Sequence, residues 1–110
     1  MILHITSIDV WEKSKKDGIY EGDTLLSQGF IHCSTEEQLS EVANFLFKSR
    51  LDLVLLVIDE NKVVPDIKYE DPGNKKLYPH IYGPLNLDAI VNVVDFPPNE
   101  DGMFVIPKKF

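Results

Sequence analysis

Cysteine is nearly missing from this chain: Cys33 is the single one among 110 residues. One thiol cannot close an internal disulfide, so the composition suits a reducing cytosol and sets a cytoplasmic expectation. Long apolar runs are lacking too. The longest, Leu53 to Ile58, falls far short of the roughly 20 residues that a membrane helix needs, so no membrane is expected as a partner. The N-terminus has no basic stretch ahead of a long apolar core, the mark of a secretory leader. Basic charge is scarce: 11 Lys and Arg against 18 Asp and Glu leave a net charge of −7 and a pI near 4.8. A broad grip on nucleic-acid phosphates needs clustered Lys and Arg. The clusters here, Lys13 with Lys15 and Lys16, and Lys75 with Lys76, are weak, and the first reads as the basic end of a helix. Nucleic acid is therefore the less expected partner, while the charge excludes little about a small molecule. Neither usual glycine-rich phosphate loop is present.

What is present is enough for a globular domain. The apolar fraction is 44%, mean hydropathy is −0.10, and a chain of this length buries a core without staples, so residues 1–110 read as one domain. Ile2 to Thr6 reads as a first strand, with Leu3 and Ile5 on one face and His4 and Thr6 on the other. Ser7 or Asp9 starts a helix whose inner stripe is Ile8 and Trp11, and Gly18 stops it. A loop from Ile19 to Gly29 follows, carrying Tyr20, Glu21, Asp23 and Thr24. A second helix is expected over Thr35 to Lys48, because Leu39, Val42, Ala43 and Leu46 recur at the spacing of one buried face, flanked by Phe45 and Phe47. Asn44, between two apolar positions, reads as a boundary residue.

Leu53 to Ile58 is apolar on both faces and suits a central strand covered on both sides. Ile67 to Glu70 alternates as a half-buried strand, and Asp71-Pro72-Gly73-Asn74 is a strong loop signal. Tyr78 to Leu85, Ile90 to Phe96 and a closing Phe104 to Ile106 read as further strands, with a helical turn over Asn86 to Ala89. Both helices lie in the first half and crossover helices are lacking in the second, so the class is α+β with a mixed or antiparallel sheet.

The stretch that concentrates chemistry is Gly29 to Thr35. Phe30, His32 and Ser34 share one strand face while Ile31 and Cys33 share the core face, so His32 should look toward a cleft. Ser34 or Thr35 can cap the next helix, with Glu37 or Gln38 at capping-box spacing. The three histidines, His4, His32 and His80, all lie in strand-like segments, and the expectation is that they line one concavity with Glu70 nearby. Tyr69, Tyr78 and Tyr82 would supply aromatic walls for a planar ring. Three histidines and Glu70 match a zinc or non-haem iron site in number. No pair has His-x-His or His-Glu-x-x-His spacing, so a metal-free site is expected. Cys33 on the core side does not read as a nucleophile.

Leu3-His4-Ile5-Thr6, Trp11, Gly18, Gly29-Phe30-Ile31-His32-Cys33-Ser34, Val42-Ala43-Asn44, Tyr69-Glu70 and Pro79-His80-Ile81-Tyr82-Gly83-Pro84-Leu85-Asn86 resemble domain-of-unknown-function family 952, a group of small bacterial proteins, over nearly the whole chain. The resemblance implies a fold similar to that of ADP-ribosyltransferases, a split sheet cupping an NAD cleft. More distantly, His4-Ile5-Thr6, Trp11, Gly18 and Ile31-His32 resemble, in order, the pattern of tRNA 2′-phosphotransferases, though the basic surface of those enzymes is missing here. By that likeness His4 would hold the ribose near the nicotinamide, His32 would take the second motif position, and Glu70 or His80 the third. The implied catalytic set is His4, His32, Glu70 and His80, and the implied NAD contacts are His4, Thr6, His32, Ser34, Tyr69 and Tyr82. The expected function is NAD binding with transfer of ADP-ribose or cleavage of NAD. The alternative is a non-catalytic module that binds a nucleotide or small ligand.

Overall fold

Leu53 to Ile58 have no polar face, and the fold covers both of their sides. In the computed structural model, which describes residues 1–22 and 24–107, they form β4 (Leu53–Ile58), the middle strand of an antiparallel sheet between β1 (Ile2–Ser7) and β8 (Ile90–Asp95). Val54, Leu56 and Ile58 enter one core cluster with Ile2, Tyr20, Ile31 and Ile81, while Leu53, Leu55 and Val57 enter a second with Leu3, Ile5, Leu39 and Ala43. Each such side chain taken fully out of water contributes about 1.5–3 kcal/mol, so this strand is the energetic centre of the fold.

Helix α1 (Ile8–Asp17) starts where the sequence allowed, at Ser7 rather than Asp9. The Val10 N–H donates to the Ser7 hydroxyl oxygen at 3.2 Å, and Gly18 closes the helix in the left-handed conformation with φ 78°. Its inner stripe is Val10 and Trp11 rather than Ile8 and Trp11; Ile8, at the first helical position, is 41% exposed.

The region expected to be a plain loop contains β2 (Ile19–Tyr20) and the short helix α2 (Leu25–Gln28); Asp23 lies outside the described residues. β2 pairs with β7 (Leu85–Asn86), and Tyr20 is fully buried. At the second predicted helix, the Thr35 N–H donates to Gln38 Oε1 at 3.0 Å, the capping arrangement expected there. A single 3-10 turn, Glu36–Gln38, then leads into α3 (Leu39–Leu46). The helix stops before Lys48, and its buried stripe is narrower than predicted: Leu39 and Ala43 are fully buried, but Phe45 is 85% and Leu46 61% exposed. Phe47 packs against the cluster that holds Phe96 and Phe104, whose rings stack at 4.9 Å and complete that side of the core. Phe104 to Ile106 is not a strand. Asn44 holds it instead: Nδ2 donates to the Phe104 carbonyl at 3.2 Å, and the Phe104 N–H donates back to Oδ1 at 2.6 Å.

A second three-stranded sheet runs in the order β3 (Ile31–His32), β6 (Tyr78–Tyr82), β5 (Asp66–Glu70). Ile31 and Ile67 lie opposite Ile81, and this row enters the core. His32 and Lys68 lie opposite His80, one residue out of phase, so that row faces away. The two sheets meet where Leu3 and Ser34 exchange backbone hydrogen bonds of 2.8 and 2.7 Å. All pairings among the described residues are antiparallel, and the α-helices all precede β4, so the class is α+β. No described helix is long and apolar enough to cross a membrane.

Candidate functional site

Period-two alternation along β6 sends Tyr78, His80 and Tyr82 outward and leaves Pro79 and Ile81 on the inner side. Gly29, at φ 86°, ends α2 and turns the chain so that Phe30 enters the same outer row. The Phe30 ring lies flat on the His80 ring, 4.2 Å between centroids and 20° between planes, which is why His80 is only 6% exposed. The His32 ring stands 4.6 Å from Phe30 and 5.2 Å from His80, edge-on to the latter. Tyr82 flanks Phe30 at 5.3 Å. His32 Nε2 lies 2.5 Å from Gln28 Oε1; an amide oxygen only accepts, so this nitrogen carries the proton.

Glu70 supplies the charge. The Tyr82 hydroxyl and His80 Nδ1, the latter at 3.0 Å, both donate to its Oε1. The Tyr82 bond, then the His80 bond, hold the carboxyl below its ordinary range, and Lys68 adds to this. The same bond raises the Tyr82 phenol. Glu70 Oε2 takes no hydrogen bond among the described residues, and the side chain is 41% exposed. The Lys68 ammonium sits 4.8 Å above the Tyr82 ring.

His4 belongs to a different layer. It projects from β1 into the space between the sheets, 8% exposed, with Nε2 2.6 Å from the Tyr20 hydroxyl and Nδ1 2.5 Å from the His32 carbonyl. It touches the His32 backbone from within, while the His32 and His80 rings face out. The three imidazoles thus do not share one surface. Thr6 is buried on the His4 face of β1, opposite Val54, and Ser34 is buried at the junction with Leu3. Tyr69 points to the opposite side of β5 from Glu70, its hydroxyl donating to Glu60 Oε2 at 2.6 Å, and burial together with that carboxylate pushes its phenol up to about 12.

The structure therefore gathers His32, His80, Glu70 and Tyr82 of the expected set, places His4 behind them, and leaves Thr6, Ser34 and Tyr69 apart. The cluster occupies an open sheet face. Two surface depressions lie elsewhere, one of about 250 Å³ beside Val10, Ser14 and Ile19, the other of about 280 Å³ beside Ile8, Leu51 and Phe96. Among the described residues, no group of three or more His, Cys, Asp or Glu converges to hold a metal ion. Cys33 is buried in the core row, and burial drives its thiol pKa upward. Phe30 is readable from sequence as a face-mate of His32, but nothing local to Gln28 or Tyr20 signals that they meet His32 and His4.

A family model described as Protein of unknown function (DUF952) matches residues 5–93. The chain belongs to that family. The matched span includes His32, Glu70, His80 and Tyr82. The chain is also similar to protein CC0527 from Caulobacter crescentus. The X-ray structure of that protein is 31% identical, with 94% of this chain and 92% of that chain covered and a TM-score of 0.87. Its solution NMR structure is 33% identical over 93% of this chain and 89% of that chain, with a TM-score of 0.81. No curated protein matches the chain.

Proposed function

We propose that this protein has an ADP-ribosyltransferase-like fold and uses NAD as a substrate, transferring ADP-ribose or cleaving NAD at the outer face of the β3-β6-β5 sheet. The observation that carries the reading is the state of Glu70. Its Oε1 is fixed by two donors and its charge is favoured, while Oε2 is left open among the described residues. Loss of nicotinamide leaves positive charge on the ribose, and a preorganised anion beside that charge stabilises the transition state more than the ground state. His32 and Tyr82 offer polar contacts to a nucleotide, and Lys68 offers a cation for its phosphates. His4 supports the same face from beneath, through the His32 carbonyl.

The test pairs binding with turnover. His32→Ala should weaken NAD or ADP-ribose binding several-fold, the equivalent of a hydrogen bond worth about 0.5–1.5 kcal/mol. Binding is read as the melting-point rise a ligand gives when it binds only the folded state. Glu70→Gln should spare binding and lower nicotinamide release, followed by chromatography with water as acceptor. A second reading, a nucleotide-binding module without catalysis, is favoured by the open position of the face, which does not exclude water as catalytic clefts do. NAD bound by wild type with no release over long incubation decides for the module. Neither binding nor release would remove NAD from both readings.

A further inference from the structure

The two hydrogen bonds on Glu70 Oε1 also determine which nitrogen of His80 is available. An ionised carboxylate only accepts, so Nδ1 carries the proton that bonds it, and in the neutral ring the lone pair sits on Nε2. Nε2 has no hydrogen-bond partner among the described residues. It is not one of the sealed, unpaired polar atoms either, because no buried side-chain nitrogen or oxygen there lacks a partner. Nε2 therefore reaches solvent although the residue is 6% exposed. Phe30, flat against the ring, and the carboxylate at Nδ1 leave the imidazole little freedom to swing. A base held by a third group, with its lone pair open to an incoming molecule, is the general arrangement for activating a weak nucleophile.

We propose that His80, oriented by Glu70, is the general base of this face and that the acceptor is a neutral hydroxyl, either water or an alcohol. The inference rests on the NAD reading and specifies its acceptor. In the step, the bond between ribose and nicotinamide breaks with its electron pair going to nicotinamide. The hydroxyl oxygen forms the new bond to the same carbon, and its proton passes to His80 Nε2 and then to solvent. Glu70 acts here as a positioning residue through Oε1. The ionisable groups around His80 are His32 from β3, Lys68 and Glu70 from β5, and Tyr78 and Tyr82 from its own strand.

The experiment compares the intact wild-type chain with His80→Gln and Glu70→Gln, using NAD with water, methanol or azide. Loss of a general base typically costs about 10²–10⁴-fold. His80→Gln should accordingly lose at least about 100-fold in nicotinamide release with water or methanol while NAD binding stays within a few-fold. Azide has no proton to give up, so it should restore release in His80→Gln, a rescue that a merely structural role for His80 would not produce. Because His80 is buried, a second measurement uses wild type alone: nitrogen-15 NMR of the neutral ring should find the proton on Nδ1, and a proton on Nε2 would overturn the proposal. Undiminished hydrolysis by folded His80→Gln would overturn it while leaving NAD cleavage standing. A wild type that releases nothing with any of the three acceptors would overturn NAD cleavage and this inference together, leaving the binding module where NAD still binds.

Discussion

Asn44 offers the sharpest test of how the core is closed. Its side chain hydrogen-bonds α3 to the irregular C-terminal segment, giving and receiving a hydrogen bond at Phe104, a residue 1% exposed. Asn44→Ala removes both bonds and, if the segment stays docked, strands the Phe104 N–H and C=O at about 1–3 kcal/mol apiece. The chain has an escape, because the segment can peel away and let water satisfy both groups. That route forfeits burial of one phenylalanine, about 1.5–3 kcal/mol, and its stacking on Phe96. The cheaper route sets the observed cost, so the expected loss is about 2–3 kcal/mol. Urea unfolding separates the routes: a lower midpoint at constant slope means the segment stays docked, and a reduced slope means it has already left. Asn44→Asp keeps an acceptor for the Phe104 N–H but sets a carboxylate oxygen against the Phe104 carbonyl, so it should recover little of the loss. A loss under about 0.5 kcal/mol for Asn44→Ala would refute the claim that this side chain holds the segment.

Three further outcomes are expected. The lowered pKa of Glu70 contributes stability that is complete above the ordinary carboxyl value of 4.5 and is lost as pH falls through the lowered value. Melting points of wild type and Glu70→Gln should therefore converge on acidification, and parallel curves would contradict the hydrogen bonds assigned to Oε1. Cys33 should resist alkylation by iodoacetamide in the native protein and react once the chain is unfolded; native reactivity at neutral pH would contradict its burial and raised pKa. Gly102→Ala should destabilise by about 1–2 kcal/mol from its left-handed backbone alone. Gly102 has φ 82°, and an added Cβ would lie 2.4 Å from Ser49 Oγ. Ser49→Ala in the same chain removes the hydroxyl and leaves only the Cβ at 3.5 Å, so it should recover the part due to that contact, measured by thermal unfolding.

Local pattern was informative wherever the physics is local. The unbroken apolar run of β4, the Gly18 end of α1, and the opposite phases of Ile31 and His32 are consequences of neighbouring residues and could be read directly; the start of α1 is narrowed only to Ser7 or Asp9. β2 and α2 could not, since two or four residues carry no usable period, and the place of β2 is fixed by a partner far along the chain. The same limit explains the ends of α3 and the C-terminal segment: Phe45 and Leu46 match the helical period, but Phe47, Phe96 and Phe104 occupy that part of the core. His4 is the instructive case. Alternation places it opposite Leu3, yet whether that side opens to solvent or meets a second layer depends on the β3-β6-β5 sheet folding over it.

The pairing of Ile2 with Ile58, Ile19 with Asn86 and Ile31 with Ile81 has a kinetic consequence. Each pair joins an early segment to one roughly half the chain away, so loop-closure entropy is spent before any of these strands gains a contact. Non-local antiparallel topologies of this kind fold in roughly milliseconds to seconds rather than microseconds. The chemistry inherits that order. Phe30 and His32 are synthesised long before Glu70, His80 and Tyr82, and the β2–β7 pairing forms only once Leu85 arrives. During synthesis the outer face has no precursor form: it comes into being when the second half of the chain closes over the first.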